Sequence, residues 1–285
     1  MRKTLAFLVT CASTCAAALL GENEARAGEF EPWFATTRIG GYLDFWPAEN
    51  LTASLFGAEL QIRIARHVYL DMAFSGAVSQ VDNYNGGDVV AAYGNPVIGA
   101  HYANDITPRF SFFVGGTLAL PFLHDPAEDV AVAALLAAPI RGYYDLDRLA
   151  VSHMAVRAMG GFEWNFIDPL YLRAELRPVV YIPTRDTFFG AGVRNDPDFF
   201  LEHAAEFEGR LRNGLGFGAR IQAVALATSN GDQAQVVFEP FLALTPKRRG
   251  FYMRIGFPLA LDEPLGFGLD RNKLAAFRLQ MGGQL

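Results

Sequence analysis

From Leu274 to Leu285 the side chains alternate. Ala275, Phe277, Leu279, Met281, Gly283 and Leu285 share one face; Ala276, Arg278, Gln280, Gly282 and Gln284 share the other. A period of two describes a β-strand with one apolar and one polar side. A chain that stops on such a strand has both of its edges still to pair, and closing a barrel against the first strand does so. The same alternation recurs upstream. Residues 51–64 set Phe56, Ala58, Leu60, Ile62 and Ile64 against Glu59, Gln61 and Arg63. Residues 169–182 set Leu170, Leu172, Ala174, Leu176, Val180 and Ile182 against Tyr171, Arg173, Glu175, Arg177 and Tyr181, with Pro178 predicting a local irregularity.

Twelve strands are expected, at 35–46, 51–64, 67–80, 89–102, 108–121, 152–165, 169–182, 199–211, 215–228, 233–245, 250–260 and 273–285. The eighth has the weakest pattern, and closure decides it. Bacterial barrels carry an even number of strands, with short inner turns and long outer loops. The hairpin signal Asn213-Gly214 then supplies the turn after strand eight. The connections sort accordingly: 65–66, 103–107, 166–168, 212–214 and 246–249 on one side, and 81–88, 122–151, 183–198 and 261–272 among those on the other. The fold class expected is all-β, a transmembrane antiparallel barrel of about twelve strands with a short helix in a long outer loop.

Composition agrees with that reading and narrows it. Hydrophobic residues make up 51% of the chain and include 24 Phe, yet they are spread as alternating positions. Met1 to Ala27 reads as a signal peptide: Arg2 and Lys3, an apolar run from Leu5 to Leu20, then Ala25-Arg26-Ala27 as a small-x-small cleavage site. Both cysteines, Cys11 and Cys15, lie inside it, so no disulfide or thiolate chemistry is expected of the barrel, residues 28–285. No other run approaches the roughly 18 apolar residues of a spanning helix. The net charge of −6 and the lack of a basic run speak against nucleic acid as a partner. The partners expected are outer-membrane lipid, the barrel-assembly machinery and a small hydrophobic or amphipathic solute.

Charges on the polar faces must point away from lipid, where an Arg near the midplane costs about 2–4 kcal/mol. Arg38, Asp44, Glu59, Arg63, Arg157, Glu163, Arg173, Glu175, Arg177, Arg220, Glu239 and Arg254 are therefore candidates for a lumen pathway. Asp71, Glu202, Glu206, Glu208, Arg210 and Arg278 share their orientation. They can form a selective channel or an ion-pair network that fills and stiffens the barrel, and both can hold at different depths.

Residues 122–151 break the rhythm. Asp125-Pro126-Ala127-Glu128 has the form of a helix start, with Asp as N-cap, and the Ala- and Leu-rich run reaches about Ala138 before Pro139. So apolar a segment is not an ordinary solvated loop. It caps the lumen, touches lipid or admits a hydrophobic ligand, with Phe122, Leu135 and Leu136 as candidate gate residues.

The run Tyr93-Gly94-Asn95-Pro96-Val97-Ile98-Gly99-Ala100-His101-Tyr102, followed by a short turn, an aromatic strand to Pro121 and an apolar insertion, resembles the middle of outer-membrane proteins of the phenol-degradation meta-pathway type. Those are similar to the long-chain fatty-acid and aromatic-hydrocarbon transporters. The resemblance implies uptake of a hydrophobic small molecule across the outer membrane, with no catalysis and no cofactor. Those transporters commonly carry a longer N-terminal plug than Gly28–Phe34 can supply. Ser229-Asn230-Gly231 reads as a turn, the five histidines have no metal-site spacing, and His124, Asp125 and Asp145 at the outer rim form no protease motif.

Overall fold

The computed structural model describes residues 32–47, 51–81, 88–124, 126–184, 187–188, 193–194, 196–227, 234–247, 249–262 and 275–285. The expected signal peptide 1–27, the N-cap Asp125 and the turn Ser229-Asn230-Gly231 lie outside the described residues. The strands are β1 (Arg38–Pro47), β2 (Leu51–Ala65), β3 (Val68–Val81), β4 (Val89–Tyr93), β5 (Val97–Thr107), β6 (Phe110–Ala119), β7 (His153–Ile167) and β8 (Leu170–Pro183). After a two-stranded hairpin of β9 (Thr187–Phe188) and β10 (Val193–Arg194) come β11 (Asp198–Arg210), β12 (Leu215–Leu226), β13 (Ala234–Leu244), β14 (Gly250–Gly256), β15 (Leu259–Ala260) and β16 (Phe277–Gln284).

The terminal strand closes the sheet. β16 pairs antiparallel with β1, placing Arg38 opposite Gln284 and Asp44 opposite Arg278, and it pairs with β14 on its other edge. β12 pairs with β13, so the ladder returns on itself. The result is a closed barrel of twelve staves, because two staves are each built from two strands. β4 and β5 both pair with β3; β14 and β15 both pair with β13. Short turns and both ends of the barrel chain lie at one rim, taken as the inner rim, and the long connections at the other.

Two of the expected strands are broken in the structure, each at a proline. Pro96 has no N–H to offer a ladder, and the stave expected at 89–102 stops at Tyr93 and resumes at Val97. Pro258 separates β14 from β15 in the stave expected at 250–260. Pro178 acts more gently. The β8–β11 ladder runs through it unbroken, pairing Pro178 with Leu201, whereas the β7–β8 ladder skips from Arg157↔Val179 to Gly160↔Leu176.

Alternation sorts the faces as the pattern requires. Ile39, Phe45, Phe74, Trp164, Phe207 and Leu242 point outward and are exposed, which in a membrane means exposed to hydrocarbon. Asp44, Glu202 and Glu239 point inward and are fully buried. At the closing seam Gly40 faces Gly282, and a Cβ at either position would run into the Tyr252 hydroxyl. Their lack of a side chain lets that ring lie across the seam. Gly214 takes φ +86° in the Asn213-Gly214 turn, the left-handed region that glycine adopts without strain.

The outward face gives a test. Leu176 on β8 is 50% exposed, so Leu176→Arg places a guanidinium against lipid and should lower stability by about 2–4 kcal/mol. Leu176→Phe should be neutral. Heat-modifiable gel mobility and denaturant titration of the refolded barrel read the difference, and equal behaviour of the two variants would contradict the assignment of faces.

Candidate functional site

Two segments that are not staves enter the lumen. At the inner rim, Trp33–Ala35 forms one 3₁₀ turn after Pro32. Phe34 is buried against Phe113, their ring centroids 4.7 Å apart. The Phe34 carbonyl accepts from Gln61 Nε2 at 3.0 Å and lies 2.7 Å from His101 Nε2. Gln61 also donates to the Thr36 carbonyl at 2.6 Å, and the Tyr69 hydroxyl donates to the Ala35 carbonyl at 2.7 Å. Trp33 meets the edge of Tyr252 at 5.0 Å, and Arg38 lies 3.8 Å over its ring. The turn is therefore held by side chains of the wall rather than by the ladder.

The outer rim is filled by the insertion after β6. Its helix α1 (Glu128–Ala137) lies against β2, β3 and β4, with Ala133, Ala134 and Ala137 buried and the Ser79 hydroxyl donating to the Ala133 carbonyl at 3.1 Å. Alanines on that face let the helix come close to the wall. A second 3₁₀ turn, Ala138–Arg141, follows, and the chain then crosses the lumen with Gly142, Tyr143 and Asp145 at positive φ.

The crossing is fastened by charge. Arg141 donates to Asp44 at 2.5 Å and to Asp145 at 3.0 Å while stacking 3.9 Å over Tyr42. Arg148 donates to Glu59 at 2.7 Å, and Arg157 reaches Asp147 at 2.5 Å. Asp145 also receives Arg157 at 3.2 Å and Arg177 at 2.9 Å, and lies 3.8 Å from Arg148. One carboxylate thus stands among four guanidiniums. Burial alone would raise its pKa, yet Arg148, Arg177, Arg157 and Arg141 hold it well below the usual carboxylate range. Asn95, at the broken stave, donates to the carbonyls of Asp147 and Ala150 at 3.0 and 2.8 Å and accepts from the Leu123 N–H at 3.0 Å. It ties both ends of the insertion to the wall.

Between the two segments lies a cavity of about 250 Å³. Wall charges surround it as one linked network. Arg173 joins Glu163 at 2.6 Å and Glu206 at 2.9 Å; Arg254 joins Glu206 at 2.5 Å and Glu239 at 3.2 Å. Glu175 takes Arg177 at 2.7 Å and Arg220 at 2.5 Å. Arg278 spans Asp44 and Glu239.

Of the residues singled out from the sequence, Asp44, Glu59, Arg157, Glu163, Arg173, Glu175, Arg177, Arg220, Glu239 and Arg254 fall in this network, and Arg38 sits beneath it beside Trp33. Arg63 does not reach it. Its exposed side chain folds onto the inner turn and donates to the carbonyls of Ala65 and Arg66. The expected gate residues are also placed differently: Phe122 is 68% exposed and Leu135 45% exposed, with Leu136 half-buried. The helix turns its small residues to the wall and Leu135 away from it, and it is Arg141, Tyr144, Asp145 and Arg148 of the insertion that line the lumen cavity. α1 is shorter than the 126–138 expected. Asp145 is buried among arginines rather than set at a rim beside His124, whose ring instead meets the Thr184 hydroxyl at 3.0 Å. Arg141, Asp145, Asp147, Arg148, Trp33 and Phe34 are functional candidates that periodicity could not find, since none lies on a stave. A signal did exist in Arg141-Gly142-Tyr143-Tyr144-Asp145-Leu146-Asp147-Arg148, where a run of charges and aromatics follows an apolar helix.

The fold is shared with solved outer-membrane barrels. An outer membrane channel from Pseudomonas putida F1 superposes with a TM-score of 0.55 at 12% identity, over 92% of this chain and 100% of that one. The NanC porin superposes with a TM-score of 0.50 at 8% identity, over 88% of this chain and 99% of that one. No family model matches the sequence, and no curated protein does. What the likeness shows is the fold: a closed antiparallel β-barrel of the kind those outer-membrane proteins have.

The Asp145 cluster yields a prediction with a sign. A carboxyl whose folded pKa is depressed contributes stability that is present above its unfolded pKa, about 3.9, and lost as pH falls through the folded value. That value is well below the usual range, so mild acid down to about pH 4 should leave the insertion closed. Asp145→Asn should not: removing one partner of a buried ion pair costs about 3–5 kcal/mol. Limited proteolysis within 138–150 should become fast in the variant at neutral pH, with the heat-modifiable mobility of the barrel retained. Equal cleavage of wild type and variant would show that the insertion is held elsewhere.

Proposed function

We propose that the barrel is a channel for passive passage of a small hydrophobic or amphipathic solute across the outer membrane, closed here at both ends by segments that can leave without unpairing the wall. One observation carries this reading: the 250 Å³ cavity is bounded by residues 138–150 and by the Trp33–Ala35 turn, and both are held mainly by side-chain contacts. A barrel with a purely structural role has no need of two removable closures around an internal space. Aromatic and charged groups share the lining, with Trp33, Phe34, Phe113 and Tyr252 beside the arginines, which suits a solute with an apolar body and a polar end. The cavity is at or below the lower end of small-molecule sites, roughly 300–1,000 Å³, so the solute is small.

Two closures in series make the expected conductances specific. Deleting residues 28–36 alone, or replacing 139–149 by a short Gly-Ser linker alone, should raise planar-bilayer conductance only modestly, because the other closure remains. The double variant should form a steady open pore. A correctly folded double variant that conducts no ions would mean that the wall side chains seal the lumen themselves, and the non-conducting structural reading would replace this one.

A further inference from the structure

Arginines outnumber carboxylates among the residues that line the cavity. Ten arginines and six carboxylates line it, and no lysine does. Several of the carboxylates that neutralise those arginines are sunk behind them in the wall. Asp44 and Glu239 are fully buried, Glu163 is nearly so, and none of the three reaches the cavity surface. A solute in the cavity therefore meets more guanidiniums than carboxylates.

Arg38 stands apart from the others. No carboxylate among the described residues lies within 4.0 Å of it, and the acids nearest in the lumen are engaged elsewhere: Glu59 with Arg148 at 2.7 Å and Asp71 with His101 at 2.5 Å. Its Nη1 donates to the Trp33 carbonyl at 3.0 Å, and its plane lies on the Trp33 ring. A guanidinium has five N–H donors in a planar fork that matches a carboxylate in two parallel bonds. Trp33 and Tyr252 supply aromatic surface beside that fork, and Phe34 and Phe113 continue it.

We propose that the cavity is a binding site for a small aromatic carboxylate, with Arg38 anchoring the carboxylate and the ring lying against the joined Trp33–Tyr252 pair. This deepens the passage reading by naming its solute class. It also resolves an apparent conflict between a channel for an apolar body and a lumen lined by arginine, since an arene carboxylate uses both. A cavity of about 250 Å³ has room for one such ring.

Binding tests the site independently of passage. Benzoate and benzyl alcohol, which share the ring and differ in charge, are titrated into the refolded full barrel by calorimetry, with tryptophan fluorescence as a second signal. Benzoate should bind saturably and at least about tenfold more tightly than benzyl alcohol, the range of a charge-assisted contact. Arg38→Gln should lose about that factor for benzoate and change benzyl alcohol little. Arg38→Lys should retain part of the benzoate preference, and Arg66→Gln, on the exposed inner turn, should match wild type. Equal affinity for the two ligands, no saturable benzoate binding, or a folded Arg38→Gln variant that binds benzoate as wild type does would each overturn the proposal. Should Arg38→Gln fail to fold, the benzoate-to-benzyl alcohol ratio of the wild type decides alone. The two readings can fail separately. A wild-type barrel that binds benzoate in this manner, with a double variant that conducts nothing, keeps the site and loses the passage; an open double variant, with a wild-type barrel that shows no benzoate preference, loses the site and keeps the passage.

Discussion

Hydrocarbon solvates neither a backbone hydrogen-bonding group nor a charge, and the rest of this molecule follows from that. Backbone groups are satisfied by closing the sheet, which is why β16 meets β1 and β13 meets β12. Side-chain charges have one place left to go. With most charged stave positions turned inward, the lumen gathers guanidiniums and carboxylates from all around the wall into one linked network. Twelve staves enclose more space than the eight whose interior side chains nearly fill a barrel. An inner space that wide and that charged has to be filled by water, by solute or by more protein.

The insertion fills its outer half, and it does so as a counter-ion. It brings Arg141 and Arg148 to Asp44 and Glu59, and Asp145 and Asp147 to Arg157 and Arg177. Each sign lands on its opposite, so wall and insertion are electrically matched surfaces. The two are nevertheless held on different scales. Unpairing a stave exposes backbone groups to lipid, which costs several kcal/mol for each group. Withdrawing the insertion returns its charges and those of the wall to water, where both are hydrated, and the loss of attraction is largely offset. Local opening of such a segment below the cost of global unfolding is the ordinary behaviour of loops that ride on a rigid frame. The inner turn at Trp33 follows the same logic with fewer contacts.

That difference also explains what was legible in the sequence. Every stave could be read, because period-two alternation is enforced by two solvents, lipid outside and a polar lumen inside. Strand eight needed the Asn213-Gly214 turn and an even count, and β11 lies where that reasoning put it. The inward set of charges followed from the same alternation, and only Arg63 of the pathway candidates misses the lumen, because it sits at the inner rim where its fork reaches its own turn. The insertion was harder. A segment packed inside a barrel has no regular face, since it meets the wall on several sides at once, and neither a period of two nor one of 3.6 is imposed on it. Apolarity drew the eye to Leu135 and Leu136, whereas the residues that hold the segment are the charges after Pro139. Trp33 and Phe34 precede the first strand in too short a stretch to show any period.

The broken stave joins these threads. A continuous strand from Val89 to Thr107 would satisfy its own backbone and leave no Asn95 N–H to give the insertion. Pro96 withholds a ladder donor and Gly94 and Asn95 turn inward with it: the Gly94 N–H goes to the Ser75 carbonyl and the Asn95 N–H to the Arg148 carbonyl, both at 2.7 Å. The Asn95 side chain then makes three further bonds, all to the insertion, at Leu123 where it enters the lumen and at Asp147 and Ala150 where it leaves. The ends are thereby fixed to the wall by neutral hydrogen bonds, while the crossing between them is held by ion pairs. One asparagine bonds both ends of the insertion, while ion pairs and the Gln222 bond to the Arg141 carbonyl hold the part between them. The Gly94-Asn95-Pro96 break is thus less a defect in the barrel than the place where wall and closure are joined.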